Sequence, residues 1–313
     1  MKEFLSKIPL PIAGVGLGLA SLGNLLKPYS ISVYILCGIL AFIFILMVAS
    51  KFIFCAQDFI EEFRSPVISS VFAAFFMAIM VLTNYIPERF ILFAFMIWIF
   101  AFIGHISLII YFSIRRFSNF SLKDIFPTYF VAYVGPIVAS VTCVPFKLQS
   151  VGKIIVILGL AAFIILFVLV TFRYFKHEVD VPLKPLLCLY TAPMSLTIAG
   201  YCAVFENKSL VLLFIGGCIA QTIYVIVLTQ LPKFLKTQFY PSFAAFTFPF
   251  VITATALKQI VANFSAVMMV PSWLPIIVNI EIIIASILVF YTVVHYIIYL
   301  FKIVPKNKFK IQT

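Results

Sequence analysis

Apolar runs of about 20 residues or longer follow one another through this chain, broken only by short stretches that carry most of its charge. Coiled as a helix, such a run spans a hydrocarbon core of roughly 30 Å. Ten can be read, over about 8–26, 29–54, 66–85, 90–114, 126–145, 150–175, 185–205, 209–231, 241–262 and 273–302. A membrane barrel requires alternating segments of about 10 residues, and the chain has none. Soluble domains carry about a quarter charged residues, whereas here the share is 10% and the mean hydropathy +1.20. The sequence therefore predicts an all-α polytopic membrane protein with ten transmembrane helices. The opening "MKEFLSK" has the positive character of a signal peptide. The stretch after it is long, rich in glycine and proline, and similar to later segments, so it reads as the first membrane helix.

The net charge of +12 is explained by topology rather than by nucleic acid. An even number of segments puts both termini on one side. That side takes Lys2, Lys7, Lys51, Arg64, Arg115, Arg116, Lys123, Arg173, Lys176, Lys184, Lys233, Lys236, Lys302, Lys306, Lys308 and Lys310. The other takes Lys27, Arg89, Lys147, Lys153, Lys208 and Lys258, a division of 16 against 6. The positive-inside rule then predicts cytoplasmic termini in a cell membrane, inner or plasma.

The prolines reveal a repeat. Pro9, Pro66, Pro127, Pro185 and Pro241 stand near the starts of the odd segments, at spacings of 57, 61, 58 and 56 residues. Pro136, Pro193 and Pro249 follow inside three of them, at offsets of 9, 8 and 8, while the even segments read as free of interior proline. A period of this size signals a repeated supersecondary unit. Here it is a helical hairpin used five times, over about 8–54, 66–114, 126–175, 185–231 and 241–302, within one transmembrane domain spanning 1–313. Gly, Ala, Ser and Thr supply 35 residues of the odd segments and only 26 of the longer even ones. Slim odd helices suit close approach or a cavity, and bulky aliphatic even helices suit lipid. The pattern predicts a quasi-fivefold ring of hairpins, odd helices lining a central pore and even helices outside, with Pro136, Pro193 and Pro249 kinking the lining.

That path is nearly neutral. No odd segment contains Asp or Glu, and their only base is Lys258, near the outer end of the ninth, a candidate for attracting anions to the outer mouth. Glu281, His105 and His295 fall in even segments, where pairing with neighbours or an interfacial position is expected of them. Cation pores present acidic rings or a carbonyl filter, so a neutral path with basic surroundings favours an anion or a small polar solute. No nucleophile–base pair, cofactor motif or metal-ligand spacing emerges, so neither an enzyme nor a cofactor is expected. The six cysteines lie scattered in apolar segments and read as small packing residues. "GVGLG" (Gly14, Gly16, Gly18) reads as close helix packing or pore room, and "KHEVD" (His177, Glu178, Asp180) as a solvated loop. "RRFS" (Arg115, Arg116, Ser118) is a weak phosphorylation-like pattern.

Five stretches in order, "IPLPIAG" (Ile8 to Gly14), "SPV" (Ser65 to Val67), "FPTYFVAYVGP", "APMSLTIAGY" and "AFTFPF", carry a resemblance. The chain resembles the tellurite-resistance/dicarboxylate transporter family, specifically its bacterial TehA-like branch, related to the plant guard-cell slow anion channels. The resemblance implies a homotrimer of ten-helix protomers, each conducting anions through its own pore, closed by one phenylalanine on the ninth helix. The matching context here is Phe246, Thr247, Phe248 and Pro249, which carries the gate to Phe248. Phe243, Phe246 and Phe250 take other headings around the helix and read as packing. A neutral pore offers little compensation for a dehydrated anion, so nitrate is expected to pass more readily than chloride. The alternative is a secondary transporter of the same fold, exporting sulfite, dicarboxylate or a tellurium oxyanion. A dicarboxylate carrier is expected to show paired basic residues in its inner helices, and only Lys258 is there.

Overall fold

The structure, a computed structural model, describes residues 2–117 and 121–303. Ser118 of the "RRFS" pattern and the basic residues Lys306, Lys308 and Lys310 lie outside the described residues. The described residues form helices and turns, without a strand: α1 (Lys2–Ser6), α2 (Ile12–Leu26), α3 (Ile31–Phe54), α4 (Ala56–Phe63), α5 (Pro66–Val71), α6 (Ala73–Leu82) and α7 (Ile91–Phe117). Then come α8 (Thr128–Tyr133), α9 (Ile137–Thr142), α10 (Gln149–Lys176), α11 (Ala192–Val204), α12 (Leu210–Leu235), α13 (Phe248–Ser265) and α14 (Trp273–Ile303). Stretches of 3-10 helix, Val181–Thr191 and Pro241–Phe246, lead into α11 and α13.

Eight helical spans among the described residues are long and apolar enough to cross a membrane, counting a short helix and its continuation as one. The other two expected segments are shorter. The first forms α2, only 15 residues, because Pro9 and Pro11 leave no N–H to extend it backwards. The fifth is divided into α8 and α9, of 6 residues each, at Val134–Pro136. Pro136 cannot donate to the carbonyl four residues back, Ala132 O, and His105 Nε2 of α7 fills that place at 2.9 Å. His105 thus pairs with a neighbour. His295 bonds through Nδ1 to Tyr291 O of its own helix. Glu281 is met only loosely: it is buried beside Gln221 and Tyr224, with neither carboxylate oxygen in close hydrogen-bond geometry. One proline departs from the reading of the even segments, because α12 runs through Pro232 to Leu235.

Inside and outside separate by burial. In the most apolar window of Pro241–Ser265, 83% of residues are buried, against 28% in Glu88–Arg116 and in Leu210–Leu235. The slim helices pack in a closed cycle, α2 on α6, α6 on α9, α9 on α11, α11 on α13 and α13 back on α2. The long helices α3, α7, α10, α12 and α14 turn isoleucine, leucine and phenylalanine outward. Serine side chains start two of them: Ser30 accepts from Val33 N and Ser209 from Leu212 N, taking up donors that a helix start otherwise leaves free.

Of the buried charged residues among those described, Lys51, Arg173 and Glu281, the first is the one held in an ion pair. Lys51 of α3 is fully buried, its Nζ donating to Ile8 O at 2.6 Å and pairing with Glu62 Oε1 at 2.5 Å. This ammonium ties the chain before α2 to α3 and to the end of α4. Removing the carboxylate strands a buried charge, whereas replacing the lysine by an apolar chain does not. Glu62→Ala is therefore expected to lower thermal stability by roughly 2 kcal/mol, the partly exposed side of the pair tempering the loss. Lys51→Met is expected to lower it less, and parallel unfolding curves of the two variants check the order.

Candidate functional site

A cavity of about 340 Å³ opens among the inner segments, with wall residues from each of them: Gly14 and Leu17 of α2, Val71 and Ala74 at α5–α6, Val131 of α8, Leu186 and Leu189 before α11, and Ala244, Ala245, Phe248 and Pro249. Among the described residues its only charged wall members, Lys7 and Glu62, are engaged elsewhere, Lys7 with Glu3 at 2.9 Å and Glu62 with Lys51. Beyond it lies a void of only about 20 Å³, walled by Met77, Phe130, Val134, Gly135, Ala192, Pro193 and Leu196. Three side chains belong to both walls: Phe248, Val131 and Leu189. They form the layer that separates the two spaces. The small void has room for about one water and almost no polar group to hold it.

Phe248 differs from its neighbours in what it touches. Phe243 packs against Phe246 at 4.8 Å between ring centroids and approaches Phe239, Tyr291 and His295. Phe250 meets Tyr224 edge-on at 5.7 Å. Phe243 and Phe250 thus meet rings of other segments, and Phe246 packs on Phe243 within the 3-10 stretch. Phe248 is 7% exposed, yet among the described residues it makes no ring–ring contact. It lines both the cavity and the small void instead.

The backbone explains how the ring is presented. The 3-10 stretch ends at Phe246, Thr247 takes φ −101° and ψ −94°, and the α-helix begins at Phe248. Pro249 is the second residue of α13, where a missing N–H leaves no bond unmade. It starts a helix rather than kinking a continuous one. Pro193 stands likewise at the second position of α11, after the 3-10 stretch Val181–Thr191. Pro136 immediately precedes α9 and is buried; Gly135 beside it, not Pro136, faces the small void. Pro193 and Pro249 both contribute to the walls.

Hydroxyl groups hold the breaks in place. Thr247 Oγ1 reaches Gly14 O at 3.0 Å and Ala244 O at 2.7 Å. Thr253 Oγ1 reaches Pro249 O at 2.8 Å and Thr191 O at 3.2 Å, and Ser195 Oγ reaches Thr253 Oγ1 at 3.1 Å. The starts of α11 and α13 are thereby joined through Thr253, whose hydroxyl meets a carbonyl of each. The glycines of "GVGLG" take up different neighbours. A Cβ on Gly18 would lie 2.4 Å from Thr247 Cβ and 3.0 Å from Phe248 N, and one on Gly14 3.3 Å from Ala244 Cβ. Gly16 faces the flexible end of Ile45 instead. Two of the three glycines therefore admit the break to the surface of α2, which is the close packing expected of them. Lys258 stands apart from both cavities, half-buried, with its Nζ 4.7 Å from the Tyr29 ring centroid.

The family model described as voltage-dependent anion channel (SLAC1) matches residues 7–297. The chain belongs to this family. It is accordingly a multi-pass membrane protein of a group of anion channels and transporters, and the resemblance carried by the five short stretches extends over nearly the whole chain. No match was found among curated proteins.

Val131 and Leu189 were not singled out by sequence reasoning, and Thr247 and Gly18 appeared there only as members of quoted stretches. The repeat held a signal for the first two, since Leu189 stands four residues before Pro193 and Val131 five before Pro136. The contact between Gly18 and Thr247 yields a paired expectation. Gly18→Ala pushes on backbone and is expected to cost about 1–3 kcal/mol of stability by overpacking. Gly16→Ala is expected to be near neutral, the displaced Ile45 tip being offset by the higher helix propensity of alanine. Thermal unfolding of the two variants in one detergent separates them.

Proposed function

We propose that the chain is a gated anion channel in which Phe248, with Val131 and Leu189, closes an otherwise neutral path. The observation that carries the reading is the layer these three side chains form between the two spaces, with Phe248 alone among its phenylalanine neighbours free of ring contacts. In this reading five hairpins form a quasi-fivefold ring of ten membrane segments within one domain, inner helices lining the pore. The closed packing cycle of α2, α6, α9, α11 and α13 supports it. Both termini face the cytoplasm, the membrane is the inner or plasma membrane, and three chains assemble as a homotrimer with one pore each. The charge division of 16 against 6 supports the orientation.

An apolar constriction of this width blocks ions by excluding water, and rotation of one ring off the path removes the block. The wall offers an anion no fixed cation at the constriction. What it offers are the partial positive charges of helix starts such as Phe248 and Ala192. Such weak coordination favours anions that shed water easily, so nitrate passes ahead of chloride. Pro136, Pro193 and Pro249 set the breaks of the lining, and Lys258 draws anions to the outer mouth.

The test is anion current from the full chain in a lipid bilayer. The native channel is expected to be nearly silent, and Phe248→Ala to conduct at least about tenfold more, as lowering the barrier by ~1.4 kcal/mol requires. Val131→Ala and Leu189→Ala, which trim the layer without opening it, are expected to give roughly two- to threefold. Reversal potentials should place nitrate ahead of chloride. Equal currents from native protein and a folded Phe248→Ala variant would remove this residue as the gate. Saturable, proton-coupled uptake of sulfite or a dicarboxylate without current would assign the fold to a carrier instead.

A further inference from the structure

Outside the inner cycle, α7 and α10 stand apart, with α8 and the turn Leu122–Asp124 packed between them. The gap holds a second cavity, of about 250 Å³. Ala162, Ile165, Leu166 and Leu169 of α10 line one wall, a stretch of about 10 Å along the helix. Tyr129 and Tyr133 of α8 form the floor, and Arg116, Ser121, Asp124 and Ile125 close one end. Ile165 is 61% exposed, so the groove is continuous with the lipid-facing surface rather than with the pore.

The closed end is polar in a way the described residues do not satisfy. Arg116 donates through one terminal nitrogen to Arg64 O at 3.0 Å, but its Nε is enclosed and has no acceptor among the described residues. Tyr129 is 93% buried in this wall, being 7% exposed, and its hydroxyl has no hydrogen-bond partner among the described residues. The Tyr133 hydroxyl is taken by Ser113 at 2.9 Å. Arg116 and Asp124 are charged groups of this wall, and the bases Arg115 and Lys123 adjoin them in sequence. Arg173 beneath them is buried, donating to Lys123 O and lying 4.3 Å from the Phe126 ring centroid.

The geometry points to a binding site for one anionic phospholipid, its phosphate between Arg116 and Tyr129 and one acyl chain along Ala162, Ile165, Leu166 and Leu169. Basic pockets between membrane helices on the positively charged side bind anionic headgroups. A space many times the roughly 30 Å³ share of a liquid water, walled by aliphatic carbon, does not hold water in place. Inside a bilayer the hydrocarbon chain gains little by moving from lipid to groove. Selectivity therefore comes from the headgroup, and the wall decides only whether a chain fits.

Native mass spectrometry of the full chain tests the site, with phosphatidylglycerol, phosphatidylcholine of the same acyl chains, and glycerol 1-phosphate as probes. Phosphatidylglycerol is expected to be retained in preference to phosphatidylcholine, and glycerol 1-phosphate not to be retained. Arg116→Gln should lower phosphatidylglycerol retention about fivefold, the effect of one base at an anionic surface. Ala162→Phe, at a partly exposed position, fills the groove without touching the headgroup contacts and should lower it at least as much. Ile165→Trp narrows the same groove from a lipid-facing position and guards against a folding defect in either variant. Equal retention of the two lipids, undiminished retention by both groove-filling variants, or equal retention of glycerol 1-phosphate would each overturn the proposal. So would efficient cross-linking between copies through Ile165→Cys in the presence of phosphatidylglycerol, which would put a second chain in the groove.

Discussion

A backbone group left unpaired in hydrocarbon costs several kcal/mol, and the inner helices of this chain are broken where no bulk water can repair them. How those breaks are satisfied governs the rest of the structure. At Thr247 a side-chain hydroxyl reaches two carbonyls, one of its own segment and one of α2. At Ala132 the missing proline donor is replaced by an imidazole from the neighbouring α7. At Thr191 a carbonyl is met by the hydroxyls of Ser195 and Thr253. Each repair reaches across to another helix except that of Ser195, so the breaks knit the inner cycle together instead of weakening it.

The same repairs place the site. Because the α-helix of the ninth segment starts only at Phe248, the ring projects from a helix start toward the cavity instead of packing along a continuous helix face. Gly18 lets α2 come close enough for Thr247 to lock the break in place. Polar side chains here serve the backbone, which leaves the space along the inner helices lined by Leu, Val, Ala and Phe. The hydroxyls of Thr247, Thr253 and Ser195 are turned to backbone carbonyls rather than to the cavity.

Two of the buried charges have partners: Lys51 an ion pair, and Arg173 the carbonyl of Lys123 and the Phe126 ring. Lys51 is enclosed between Ile8 O and Glu62, at the end where α1 and α4 meet the first inner helix. Glu281 lies between outer helices without such an arrangement, near Gln221 and Tyr224. The outer surface is otherwise largely apolar, and the groove between α7 and α10 interrupts it with the enclosed Nε of Arg116 and with Tyr129 and Tyr133.

Much of this was legible in the residues. Segment length and hydropathy determined a polytopic helical membrane protein, because the thickness of a bilayer fixes how long an apolar helix must be. The small-residue content separated slim helices from bulky ones, and the proline period located the breaks to within a few residues. The side-chain content of "AFTFPF" singled out Phe248 only through resemblance, since periodicity alone could not rank it above Phe246 or Phe250. What the tertiary structure decided was which groups complete each break. Pro249 looked like a kink in a helix and proved to be the second residue of a new one, because Thr247 could find Gly14 O in a helix 233 residues away in sequence. Val131, Leu189 and Gly18 gained their places from the same long-range packing. No local pattern encodes a contact between segments so distant along the chain, because it depends on how five separate helices close on one another.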